Sequence, residues 1–250
     1  MPLPLRPRQA DRWARYDQAP ARHRISRRLA VAPEPRCLTP LHYEPEYRYP
    51  LVIWADDSDN PWALVRALGA ISLRNHAGVA PAGRSVSNFT ADPDRNSRID
   101  VRSQRIDDAI SLARRKLNLH PDRRFIVGRG RSLAALIQEL TDEQLREITG
   151  IAWIAETESS CRPAGIDWNR RVDLPLLLCL AESELANGTD AFAGHLRGLH
   201  AIGFDVTTIT SSERPSFVSN ALANVNRWIM SFVTGAPAFT ETPIETLDRN

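Results

Sequence analysis

The stretch from Phe125 to Leu136 constrains this chain more than any other. Phe125, Ile126 and Val127 run directly into Gly128 and Gly130, and a helix-forming segment follows at once. An apolar run that meets two glycines and then a helix is the pattern of a buried parallel strand turning sharply into a helix. Parallel strands need crossovers, so the rest of the chain has to alternate strand and helix.

It does so from Pro50 onwards. Leu51 to Trp54 reads as a short apolar strand. Pro61 to Leu73 has helical spacing through Trp62, Val65, Leu68 and Ile71, and Gly78 to Ala80 is a second strand. After a polar loop from Gly83 to Arg98, Val101 to Leu117 is an amphipathic helix with Ile106, Ile110, Ala113 and Leu117 on one face. Beyond the central strand, Thr141-Asp142-Glu143 opens a helix, Ile151 to Ile154 is a strand, and the near-continuous apolarity of Leu174 to Leu180 predicts a strand covered on both faces. Asp190 to Ile202 is helical, Phe204 to Ile209 a β-branched strand, and Ser216 to Val233 a final helix with Val218, Leu222, Val225, Ile229 and Phe232 inward. The expected fold class is therefore α/β: a single domain built on a doubly wound, mostly parallel sheet.

Charge divides the chain unevenly. Residues 1–36 hold nine arginines against Asp11, Asp17 and Glu34, a local charge of +6; the rest carries 23 basic against 27 acidic residues, a charge of −4. The segment is also rich in proline, so residues 1–37 are expected to form a basic, poorly ordered arm, residues 38–234 the domain, and residues 235–250 a loose tail. Such an arm suits contact with a polyanion, either nucleic acid or an anionic membrane surface. Lys116 is the only lysine, however, so the arginine content also reflects residue usage throughout the chain. No apolar run reaches the ~20 residues of a membrane span, and a cytoplasmic protein is expected. Cys37, Cys161 and Cys179 are widely spaced and form no C-x-x-C, which predicts free or buried thiols, with Cys179 in the core. There is no H-E-x-x-H and no paired His/Cys spacing; neither a metal nor a cofactor is expected.

The central turn has a second content. Asn118-Leu119-His120-Pro121-Asp122-Arg123 leads through the strand to Gly128-Arg129-Gly130-Arg131-Ser132-Leu133. In this it resembles the α/β-hydrolase superfamily, and within it the carboxylesterase/phospholipase group related to dienelactone hydrolases, where N-x-H-P-x-R precedes a strand that runs into G-x-S-x-G-G. Tyr49 to Trp54, Leu199 to Gly203 and Asn226 to Met230 extend the resemblance over roughly Leu38 to Val233. It implies an α/β-hydrolase fold and, where the catalytic residues are intact, carboxylic ester hydrolysis.

Residue by residue, the implied machinery is degenerate. Counting from His120-Pro121 places Gly130 where the nucleophile would stand. A register shifted by two residues fits G-x-S-x-A and makes Ser132 the nucleophile, provided the strand extends that far. The His-Gly pair that shapes the oxyanion hole is matched by Asp56 and Asp57, with Asp59 close by; carboxylates there oppose a developing negative charge. Glu182 or Glu184, past the strand ending at Leu180, stands where the acid of a triad would lie. The loop after the last strand, Thr210 to Phe217, contains no histidine, and a hydroxyl without a base is a poor nucleophile. His23, His42, His76, His120, His195 and His200 lie elsewhere and are assigned structural or solvent roles. The leading expectation is a catalytically inactive homologue, a pseudoenzyme that keeps the fold to bind a small-molecule or protein ligand or to assemble. The alternatives are a serine carboxylesterase/phospholipase-like hydrolase using Ser132, and a protein that associates with nucleic acid or an anionic surface through its arm.

Overall fold

A computed structural model of the chain describes residues 35–56, 62–81, 95–130, 133, 136–137, 140–155, 173–181, 189–211 and 217–239. All of them belong to one unit, residues 33–250. Among the described residues, seven strands form one sheet: β1 (Arg36–Leu38), β2 (Tyr49–Ala55), β3 (Ala77–Ala80), β4 (Leu119–Arg129), β5 (Gly150–Ala155), β6 (Leu174–Ala181) and β7 (Phe204–Ser211). Their spatial order is β1-β3-β2-β4-β5-β6-β7. Only β1 runs antiparallel to its neighbour; every other pairing is parallel. The helices are α1 (Ala63–Ile71), α2 (Arg95–Lys116), α3 (Asp142–Arg146), α4 (Thr189–Ala201) and α5 (Phe217–Thr234), with a further helical segment that includes Gly130, Leu133, Leu136 and Ile137.

The two-residue period of a strand sorts the central side chains to opposite faces. Ile53 of β2, Ile126 of β4, Trp153 of β5 and Leu178 of β6 meet α2, α3, α4 and the helical segment after β4. Val52, Phe125, Ile154 and Cys179 meet α1 and α5 on the other face. Right-handed crossovers require such a division. The chain steps from β2 to β3 in one direction with α1 on one face, then reverses, and α2, α3 and α4 occupy the other. Burying one Leu, Ile or Phe contributes about 1.5–3 kcal/mol, so strands apolar on both faces have no stable alternative at the surface.

Several boundaries differ from those read in the sequence, each for a physical reason. β1 takes Arg36 and Cys37 out of the expected arm and pairs Arg36, Cys37 and Leu38 with Ala80, Val79 and Gly78; three residues are too few to show a period. Beginning at Arg95, α2 claims the end of the expected polar loop and closes on Arg114, Arg115 and Lys116, cations that complement the helix dipole. β4 starts at Leu119, six residues before its apolar run, because its pairing to β2 jumps from Tyr49↔Leu119 to Leu51↔Arg124. Pro121 lies inside that jump and has no N–H to give a ladder. The tail expected to be loose begins packed: Ala238 and Phe239 sit against the core, and the Arg227 guanidinium lies 5.9 Å from the centre of the Phe239 ring. Residues 1–34, 240–250 and Cys161 lie outside the described residues, as do the calls made on them.

Candidate functional site

In an open parallel sheet, a crevice forms where neighbouring connections leave in opposite directions, outside the carboxyl ends of the strands. Here that reversal falls between β2 and β4, since β3 lies on one side of β2 and β4 to β7 on the other. The site is therefore bounded by Ala55-Asp56 at the end of β2 and Gly128-Arg129-Gly130 at the end of β4. Ala55 and Gly128 are direct partners across the two strands.

Close packing dictates the first glycine. A Cβ on Gly128 would stand 2.9 Å from both the Ala55 carbonyl oxygen and the Leu133 Cβ. The helix after β4 thus folds back hard against its own strand and its neighbour. Conformation dictates the second. β4 ends at Arg129, Gly130 has φ 56°, and the chain is helical from that residue. That left-handed conformation costs residues with a Cβ roughly 1–2 kcal/mol. The turn is also tied down from β5, where the fully buried Trp153 donates its indole N–H to the Gly130 carbonyl at 3.1 Å. Sequence reading placed Trp153 only in a strand; its bond to a turn 23 residues earlier is a tertiary contact without a local signal.

Of the other candidate residues, Asp56 follows β2 directly and is half-buried. Asp57, Asp59, Ser132, Glu182 and Glu184 lie outside the described residues. The described histidines are dispersed. His42 is exposed with φ 57°. His76 is fully buried before β3, its Nε2 bonded to the Asn226 side chain at 3.0 Å. Burial lowers its proton affinity, an effect the Asn226 bond opposes. His120 lies near the start of β4 and accepts the Asp122 N–H at Nδ1. In α4, His195 is half-buried, and His200 has its Nδ1 3.1 Å from the Phe204 carbonyl oxygen. None is on an element that ends at the β2–β4 reversal's carboxyl side, apart from β4, which carries His120 at its opposite end. Cys179 is buried as the sequence predicts, and burial pushes its thiol up to about 12, so it holds its proton near neutral pH.

No family model matches the sequence, and no curated protein does. Solved structures do match the fold. A carboxylesterase from Bacillus cereus superposes with a TM-score of 0.54 over 82% of this chain and 94% of its own, at 9% identity. A fungal esterase from Rhizomucor miehei gives 0.51 over 93% of this chain and 100% of its own, at 14% identity. The fold is that of the α/β-hydrolases. A phospholipase/carboxylesterase from Dyadobacter fermentans, with a TM-score of 0.51 over 79% of this chain and 96% of its own at 12% identity, has the same α/β-hydrolase framework. Identities this low speak for architecture, and activity has to be argued from residues.

Proposed function

We propose that this chain is a catalytically inactive α/β-hydrolase homologue that uses the fold for binding or assembly. The observation that carries the reading is Gly130, with φ 56°, at the turn from β4 into its helix. In active members of the fold a nucleophile occupies such a strained strand-to-helix turn, where its oxygen is exposed above the sheet. Glycine relieves the strain and removes the oxygen. Two sequence features support the same reading: Asp56 and Asp57 where oxyanion donors are needed, and no histidine between Thr210 and Phe217. The Ser132 alternative requires β4 to run two residues further than its end at Arg129.

Reaction of the whole chain with a fluorophosphonate probe, followed by peptide mapping, tests this directly. Unlabelled protein is expected, together with turnover of short-chain aryl esters no faster than in the Ser132→Ala variant. Labelled Ser132 and serine-dependent hydrolysis would make the protein a carboxylic ester hydrolase and overturn the reading. Gly130→Ser is expected to stay inactive as well, because base and oxyanion donors act with the nucleophile as a unit.

A further inference from the structure

At the opposite end of the sheet from the β2–β4 reversal, the jump in pairing around Pro121 leaves a cleft of about 300 Å³. It is lined by Leu51, Arg114, Asn118, His120, Pro121 and Arg124, among others. That volume is at the lower end for small-molecule pockets, enough for a metabolite and too small for a polymer segment. The polar groups are fixed from three directions. Arg114 comes from the last turn of α2, where Glu147 lies 3.9 Å away. Arg124 comes from β4, is held in place through its backbone N–H to Thr149 Oγ1 and its carbonyl to the Thr149 N–H, and donates Nη1 to the same Glu147. Asn118 is pinned by the Tyr43 hydroxyl, which accepts its N–H, and by its own side chain, which donates to the Pro45 carbonyl.

The charges do not cancel. Two guanidinium groups share one carboxylate, and Arg48 and Arg123 stand close enough to His120 to lower its proton affinity, after the larger effect of burial and against Asp122. Because His120 accepts the Asp122 N–H at Nδ1, its ring proton is on Nε2, which serves as a donor. Among the described residues, the cleft is thus rich in donors, with the Glu147 carboxylate shared between two arginines. We propose that it binds a small metabolite bearing an oxyanion, a carboxylate or phosphate monoester, whose anionic group sits between Arg114 and Arg124 in place of part of the Glu147 interaction. Arginine forks match the oxygens of either group. The site is independent of the reading proposed for the β2–β4 crevice.

The test is calorimetric titration of the whole chain with inorganic phosphate and with succinate, repeated on Arg114→Gln and Glu147→Gln. Both side chains are half-exposed, 51% and 50%, so neither change empties the core, whereas Arg124, at 9%, is left intact. Removing Arg114 is expected to weaken binding about tenfold, the effect of one charge-assisted hydrogen bond, while removing the competing carboxylate of Glu147 should tighten it. Opposite signs from the two variants identify the cleft, and the preferred probe identifies the carboxylate or the phosphate class. Equal affinity in all three proteins would assign the anion to other arginines, such as those of residues 1–36, and overturn the proposal. So would the absence of binding to both probes, or weaker binding by Glu147→Gln.

Discussion

At the scale of single residues, two buried positions illustrate how little freedom the framework leaves. Gly128→Ala puts a methyl group 2.9 Å from the Ala55 carbonyl oxygen and the Leu133 Cβ. Neither is the free end of a flexible side chain, so strand and helix must separate, and a loss of about 1–3 kcal/mol is expected by urea unfolding. His76 gives stability a pH dependence of definite sign. Burial lowers its folded pKa below the ordinary imidazole value of about 6.5, so the unfolded chain binds the proton more tightly. Stability is therefore full above that pH and falls as pH drops through the unfolded pKa towards the folded one. Unfolding free energy measured from pH 7 to pH 5 should decline in the parent chain, and decline less in His76→Gln, which can still bond to Asn226 without titrating. The turn at Gly130 was legible in the sequence, where the apolar run meets Gly128 and Gly130 before a helix-forming segment. Its φ of 56° and its anchoring by Trp153 were not, because both depend on β5.

At the scale of elements, apolar strands and periodic helices are legible in the sequence, though α2 and β4 begin six residues earlier than their patterns, while an element held by its partner is not. Thr141 illustrates the first case. It was read as a helix start, and it caps α3 with a complete capping box: its Oγ1 accepts the Gln144 N–H, and the Gln144 side chain accepts its own N–H. β1 illustrates the second, since it exists only through its ladder with β3. This changes where the arm can be cut. A chain beginning at Pro33 keeps β1 and should melt within a few degrees of the full protein. A chain beginning at Thr39 loses it, leaves β3 as the sheet edge and should melt clearly lower. Equal melting temperatures for the two truncations would show that β1 contributes nothing to stability.

At the scale of the whole molecule, the arm's charge predicts behaviour that the folded body does not share. Residues 1–36 carry +6 and the rest −4. RNA or anionic vesicles should bind the full chain at low salt, bind much less at physiological ionic strength as counterion release is lost, and fail to bind the chain beginning at Pro33. Retained binding by that truncation would move the contact to the body. Among the described residues no helix is long and apolar enough to cross a membrane.

Local pattern was enough to dictate the class of fold. Apolar runs such as Leu174 to Leu180 can be hidden only inside a sheet covered on both faces, and a strand entering Gly128 and Gly130 before a helix permits only a tight turn. It also determined that the loop from Thr210 to Phe217 lacks an imidazole. Tertiary structure alone decided which strands became neighbours, and hence that the order reverses between β2 and β4. It alone carried Trp153 to Gly130, Asn226 to His76, and Arg114 and Glu147 to Arg124. The physical reason is range: propensity and periodicity act over a few residues, whereas a crevice or a cleft is made by groups from different elements that only packing brings together.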